Sequence, residues 1–209
     1  MSEAANIAAV ILAGGLARRM GGGDKPLREI GNRKLLDIVI ERLAPQASPI
    51  ALNANGPSER FAAFGLPVIP DSMPGYVGPL AGVLAGLDWA VELGASHLVS
   101  VAADTPFFPR DLVERFRSER GTAEIVLAAT PHPSKGLLRQ PTFGLWPVAL
   151  REDLRQALEN GVRKVVQWTD VHVTAEVVFD APEGRDPFFN VNTPADLDIA
   201  RRRFEEEKV

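Results

Sequence analysis

Arg18, Arg19 and Lys25 stand among Gly14, Gly15, Gly21, Gly22 and Gly23, directly after the apolar run 7–12. Five glycines in the ten positions 14–23 prevent a regular helix and leave backbone N–H groups free to face an anion. Arginine adds a planar fork of donors and lysine a point charge, both suited to phosphate. Positions 14–34 carry six basic residues against two acids, whereas the whole chain has a net charge of −4. The local excess runs against the background, which favours a triphosphate cradle over a plain turn. The spacing matches neither the Lys-Ser/Thr ending of a P-loop nor the G-x-G-x-x-G of a dinucleotide fold.

A second centre of chemistry is Asp104. It follows a run, 97–102, too apolar to tolerate a charge, so its carboxylate should emerge at the same sheet edge as the glycine loop. Pro106 keeps Thr105 extended. Hard divalent cations prefer carboxylate oxygen, and Mg²⁺ on a triphosphate takes only one or two protein carboxylates. Asp104 is therefore the expected metal ligand; the alternative is a cap of the next helix, a role also open to Asp111 and Thr105. Asp71 follows a short strand at the ligand edge, with a turn aspartate bonding its own backbone as the alternative. Asn190 and Asn192 alternate on an extended segment, so both can point one way, unless they merely form a helix-entry turn. Arg163 and Lys164 either meet a phosphate or dress a helix. His97, His132 and His172 are widely separated and are not expected to act in catalysis or bind metal. Trp89, Trp146 and Trp168 read as packing residues.

These groups need a scaffold. Run 7–12 has the length and β-branched content of a buried parallel strand. A helical stripe follows over 34–43, then a strand over 49–52 running into the turn cluster 53–57. A short helix is expected over 58–64, capped by Ser58 or the residue before it. A brief strand, 68–69, opens into a proline-rich loop. The next helix spans 80–93, with Leu80, Leu84, Leu87 and Val91 on one face; strand 97–102, helix 110–118 and strand 124–129 follow. Repeated strand–helix alternation marks an α/β protein with a mostly parallel sheet.

The second half reads less regularly. Segment 130–140 is polar with two prolines and reads as a loop, 143–146 as a short strand, and 148–160 as a helix closed by Gly161. A short helix over 162–168 and a strand over 171–179 follow, then a loop over 181–187. Thr193, Pro194 and Asp196 form a strong helix start. The last helix offers i,i+4 pairs Arg201–Glu205, Arg202–Glu206 and Arg203–Glu207, expected as a solvated face.

At 209 residues, 45% hydrophobic and 24% charged, the chain suits one medium globular domain. A division into a nucleotide-binding part, about 6–130, and closing elements, about 131–209, is expected. No apolar run approaches a membrane span of roughly 18 residues, and positions 1–6 lack the features of a secretory signal. The absence of cysteine excludes disulfides and thiolate metal sites and is compatible with a cytoplasmic setting. The acidic balance argues against general nucleic-acid binding.

The motifs taken together resemble a family. Leu12-Ala13-Gly14-Gly15, Arg19-Met20-Gly21-Gly22, Asp24-Lys25, Gly78-Pro79-Leu80-Ala81-Gly82, Asp104-Thr105-Pro106-Phe107 and Asn190-Val191-Asn192-Thr193-Pro194 look like the molybdenum cofactor guanylyltransferases, in family order from 10 to about 197. Gln140-Pro141-Thr142-Phe143-Gly144-Leu145-Trp146 and Gly161-Val162-Arg163-Lys164-Val165 resemble its later pattern, whereas 130–139 matches nothing in it. The resemblance implies a three-layer Rossmann-like nucleotidyltransferase fold and a reaction in which Mg-GTP and molybdenum-bearing molybdopterin give the guanine dinucleotide cofactor and pyrophosphate. It places Leu12, Ala13, Gly14 and Gly15 against guanine or ribose, Asn53 and Asp71 in the nucleoside pocket, Arg19 and Lys25 on the phosphates, and Mg²⁺ on Asp104. Arg19, Lys25 and Asp104 are the catalytic set, with Gly78, Gly82, Asn190 and Asn192 on the molybdopterin side. Proteins that deliver or receive the cofactor are further candidate partners; nucleic acid and membrane are not. The same fold also hosts cytidylyltransferases for the same pterin and sugar-phosphate nucleotidyltransferases. A noncatalytic nucleotide-binding module is a further alternative.

Overall fold

The computed structural model describes residues 6–14, 24–73, 75, 78–181 and 185–207. Gly15, Arg18 and Arg19 lie outside the described residues. Every residue of β1 (Ile7–Leu12) is apolar, and all but Leu12 are buried. Alternation along the strand sends Ile7, Ala9 and Ile11 into one core and Ala8 and Val10 into another. Both faces therefore need a cover of helices, as in parallel sheets generally. Helices α1 (Leu35–Leu43) and α3 (Leu112–Glu119) bring Leu36, Val39, Leu43, Leu112, Val113 and Phe116 to the first face. Helices α2 (Pro79–Glu92), α4 (Arg151–Glu159) and α5 (Val165–Thr169) bring Leu80, Leu84, Leu87, Leu154, Leu158 and Trp168 to the second. The result is the three-layer α/β arrangement expected.

The small ribbon of β2 (Glu29–Ile30) and β3 (Arg33–Lys34) stands apart from the main sheet. That sheet is built from β1, β4 (Ile50–Asn53), β5 (Val68–Ile69), β6 (His97–Ala102), β7 (Ile125–His132), β8 (Gly136–Pro147) and β9 (Thr174–Val178). Its spatial order is β5-β4-β1-β6-β8-β7-β9. β8 runs antiparallel to both neighbours and the remaining pairings are parallel. A third cluster packs Ile30, Leu35, Phe107 and Val191 with Leu197, Ala200 and Phe204 of α6 (Pro194–Glu206). It joins the last helix to the loop that follows β6. Among the described residues, no helix is long and apolar enough to cross a membrane.

Four local expectations are corrected. Segment 130–140 is not a loop: β7 and β8 continue through it as a hairpin, pairing Thr130 with Leu138 and His132 with Gly136. Its polar composition hid a ladder, and beyond Ala129 β7 has lost its β9 partner, an edge-like stretch where Pro131 is tolerated. Val91 is 41% exposed rather than part of the buried stripe, because Ala90, three residues after Leu87, takes that place. Val171 is exposed and precedes β9. Of the three ion pairs expected along the last helix, Arg203–Glu207 forms at 3.6 Å. Arg201 instead reaches Asp198 at 2.8 Å and Glu206 meets Arg185 at 3.1 Å. Nor is that face simply solvated, since Arg203 lies over the Phe107 ring and Glu207 pairs with Arg42.

Candidate active site

β1 lies between β4 and β6, so the chain leaves it first to one side and later to the other. Such a switch point opens a crevice at the carboxyl ends of the strands. The ladder continues past the strand ends: the Ala13 N–H donates to the Asn53 carbonyl at 2.9 Å, and the Ala103 N–H to the Leu12 carbonyl at 3.1 Å. Leu12, Ala13 and Gly14 are thereby bracketed by the loops after β4 and β6. A cleft there is lined by Leu12, Gly14, Asn53, Asn55, Asp71, Gly78, Pro79, Ala102, Asp104, Thr142 and Asn190. A smaller recess beside it is lined by Leu12, Ala13, Gly14, Lys25, Pro26, Ala103 and Asp104.

One end of the cleft is cationic. Lys25 opens a 3₁₀ turn, Lys25–Leu27, anchored by buried Pro26. Its Nζ donates to Asp104 Oδ2 at 2.5 Å, Asn192 Oδ1 at 2.6 Å and Asn190 Oδ1 at 3.1 Å. Asn190 and Asn192 do point the same way, as their alternation required. The Val191 N–H between them donates to the Asp104 carbonyl at 2.9 Å, tying the two segments together. Asp196, in the first turn of α6, accepts from the N–H groups of Asn192 and Thr193 at 2.9 and 2.8 Å, while the Thr193 hydroxyl accepts from Asp196 N–H. Burial works to raise the Asp196 carboxyl, but these hydrogen bonds and the Lys25 charge hold it below the ordinary aspartate value.

The other end is a polar network at and just past the ends of β4 and β5. Asn53 is 4% exposed, and its amide donates to the Ile69 carbonyl at 3.2 Å and to Asp71 Oδ1 at 3.0 Å. Asn55 donates to Asp71 Oδ2 at 2.8 Å and accepts from the Asp71 N–H at 2.9 Å. Asp71 therefore has partners beyond its own turn. Asn55 was not singled out from the sequence, although it sits two residues from Asn53, the same alternation that marked Asn190 and Asn192. Arg60 ties the two ends, donating to the Asn55 carbonyl at 2.5 Å and pairing with Asp24 at 3.4 Å; no sequence signal marked it. Thr142 was visible only inside a motif. It lines the cleft from the part of β8 between Gln140 and Gly144, where the pairing with β7 shifts register between Leu127 and Ala128.

The remaining candidates fall as follows. Gly78 lines the cleft and precedes α2 at φ +82°, a conformation that favours glycine. Gly82 is buried one turn further on, beneath Asn53. Arg163 donates to the carbonyls of Leu158 and Val162 at the end of α4, so its guanidinium dresses a helix; Lys164 is exposed ahead of α5. Asp111 precedes α3 without a side-chain capping bond. No histidine lines the cleft among the described residues. Trp146 and Trp168 are buried and stacked at 5.9 Å, and Trp89 is packed against the same core.

Among the described residues there is no group of three or more His, Asp or Glu side chains able to cage a metal. A single carboxylate beside a phosphate-sized recess is instead the donor set that suits Mg²⁺ arriving on a triphosphate. Asp104 fits that role: it is partly exposed, and among the described residues Oδ1 accepts only from its neighbour's hydroxyl, Thr105 Oγ1, at 3.3 Å.

A family model described as the MobA-like NTP transferase domain matches residues 9–174. A molybdenum cofactor guanylyltransferase of Bradyrhizobium sp. (strain ORS 278) is 53% identical over 196 residues, covering 92% of this chain and 91% of that protein. One of Rhodopseudomonas palustris (strain BisB5) is 52% identical over 199 residues, covering 93% and 92%. Among solved structures, molybdopterin-guanine dinucleotide biosynthesis protein A from Archaeoglobus fulgidus superposes with a TM-score of 0.74 at 22% identity, covering 96% of this chain and 99% of that one. A 4-diphosphocytidyl-2C-methyl-D-erythritol synthase from Anaerococcus prevotii also reaches 0.74, at 16% identity and 95% and 96% coverage. Fold alone therefore does not select the nucleotide; the half-identical relatives share one name.

Proposed function

The chain belongs to the molybdenum cofactor guanylyltransferases, a family of MobA-like nucleotidyltransferases, and from that premise we propose how its residues divide the reaction. The enzyme transfers GMP from GTP to the terminal phosphate of molybdenum-bearing molybdopterin and releases pyrophosphate. A bond forms between the molybdopterin phosphate oxygen and the α-phosphorus of GTP, while the bond from that phosphorus to the pyrophosphate oxygen breaks. A phosphate dianion is a nucleophile at neutral pH, so no general base is required, in keeping with a cleft that no described histidine lines.

The problem left to the protein is bringing two anions together. Backbone groups of Leu12, Ala13 and Gly14, with Gly15 next in sequence, meet guanine or ribose, and Asn53 and Asp71 line the nucleoside end. Lys25 and Arg19 grip the phosphates. All three hydrogens of the Lys25 ammonium are engaged, by Asp104, Asn190 and Asn192. Gripping a phosphate therefore requires it to release a partner, and Asp104 is the partner with a second use. Asp104 would hold Mg²⁺, which when bound would neutralise charge on the phosphates. Asn190, Asn192 and Gly78 face the pterin substrate, and the elements after about 131 close the site around it within one domain. GTP use and the cysteine-free chain support a cytoplasmic setting.

The observation that carries this division is the four-way contact at Lys25, which joins the segments after β1, after β6 and before α6. The test is pyrophosphate release by purified protein supplied with molybdopterin and each nucleotide in turn. GTP should be used with clear preference. Preference for CTP would retire the guanine reading, and tight Mg-GTP binding without turnover would indicate a noncatalytic module.

A further inference from the structure

Gly82 and Gly86 lie one turn apart on α2, both buried and both helical. Neither needs glycine for its backbone angles, and each costs the helix about 1 kcal/mol relative to alanine. Their reason is space, and the space differs. A Cβ on Gly86 would stand 2.6 Å from Leu98 Cδ2 and 3.0 Å from Val10 Cγ1, in the core beneath the sheet. A Cβ on Gly82 would overlap Asn53 Oδ1, and would stand 2.7 Å from Leu12 Cδ2 and 3.0 Å from Asn53 Cγ. Leu12 and Asn53 both line the cleft.

From this we infer that Gly82 is a positioning residue for nucleotide binding: it is the seat on which the Asn53 side chain rests, rather than part of the molybdopterin side. The Asn53 amide cannot simply swing away from an added methyl group. It is nearly buried, and its Nδ2 is committed to Ile69 and Asp71. Pushing it outward loosens the Asp71 carboxylate, which Asn53 and Asn55 hold between them. The first turn of α2 thus sets the depth and rigidity of the nucleoside end. This inference rests on Asn53 and Asp71 serving the nucleoside, as proposed above.

The experiment is calorimetric titration of the full chain with Mg-GTP, without molybdopterin, for wild type, Gly82→Ala, Gly86→Ala, Asn53→Ala and the double variant Gly82→Ala/Asn53→Ala. Gly82→Ala should weaken Mg-GTP binding about tenfold or more, the scale of one displaced buried hydrogen bond. Gly86→Ala should lower the melting temperature and leave the GTP Kd within about twofold, since its crowding is remote from the cleft. In the Asn53→Ala background most of the Gly82→Ala penalty should vanish, because the Asn53 amide is gone and the other crowded atom, Leu12 Cδ2, is the end of a flexible side chain. Wild-type affinity in Gly82→Ala, an undiminished penalty in the double variant, or a Gly86→Ala loss as large as that of Gly82→Ala would each overturn the inference. Absence of Mg-GTP binding by wild type would instead overturn the nucleotide-site reading beneath it.

Discussion

The two ends of the cleft are built in opposite ways. At the end proposed for the nucleoside, Asn53, Asn55 and Asp71 stand at or just past the ends of neighbouring parallel strands and bond one another and Ile69 across 16 to 18 residues. At the end proposed for the phosphates, Lys25 finds its partners 79, 165 and 167 residues away. The first is an adjacent-strand network of amides around one carboxylate, rigid because each group is already bonded. The second is a cation compensated by three side chains, one of which a substrate phosphate would replace in the mechanism proposed above. Rigid and prebuilt suits recognition of a nucleoside. Charged and exchangeable suits stabilisation of a transition state that gathers negative charge.

Kinetics can break or sharpen that contrast. The largest effect is expected from Asp104→Ala, which should abolish turnover while the protein still folds, because Asp104 is partly exposed and stands outside the apolar clusters. Rates near wild type would refute the metal assignment; circular dichroism checks the fold. Lys25→Ala should cost on the order of 10²-fold in kcat, the scale of one preorganised charge stabiliser. A raised KM with kcat unchanged would mean that Lys25 contributes uniform binding, and the two ends would then differ little.

Asp71→Ala should act on the other side of the contrast, weakening Mg-GTP binding about tenfold by removing the acceptor that Asn53 and Asn55 share. A loss confined to kcat at saturating GTP would place Asp71 with the phosphate machinery. The smallest effect belongs to the helix start behind Asn192. Thr193→Ala should lower stability by about 1 kcal/mol in denaturant titration, the usual worth of an N-cap. Asp196 has its folded pKa depressed, so its stabilisation is present above the unfolded aspartate value of about 3.9 and is lost as pH falls through the folded value below it. Asp196→Asn should flatten that acid limb of the stability profile, and an unaltered limb would show the carboxylate to be energetically idle.

Much of the contrast is legible in the residues themselves. The run 7–12 is apolar at every position, so it can only be a strand covered on both faces, and the chemistry placed just after it must surface at the strand ends. Asp104 follows the same rule after β6. The helix start at Thr193, Pro194 and Asp196 is local chemistry and appears in the structure as the spacing requires. By contrast, the hairpin over 130–140 is not legible in the sequence, because ladder hydrogen bonds leave no mark on composition. The Arg203–Glu207 pair forms as its i,i+4 spacing requires, but that spacing says nothing about Phe107, a residue from another part of the chain over whose ring Arg203 lies. Asn55 is hidden for a simpler reason: it sits in a stretch that reads as a turn, and its partner Asp71 lies past the end of the next strand.

The primary chain by itself settled which groups stand at strand ends, which face of each strand is apolar, where the last helix begins, and that cations gather against an acidic background. Those properties depend on neighbours within a few residues. The folded arrangement alone decided that Lys25 would meet Asp104, Asn190 and Asn192, that Arg60 would bridge the two ends, and that Gly82 would lie under Asn53. Apart from the bond of Arg60 to Asn55, five residues away, each of those contacts joins distant segments whose separation is set by sheet order and helix packing, and no short-range pattern encodes it.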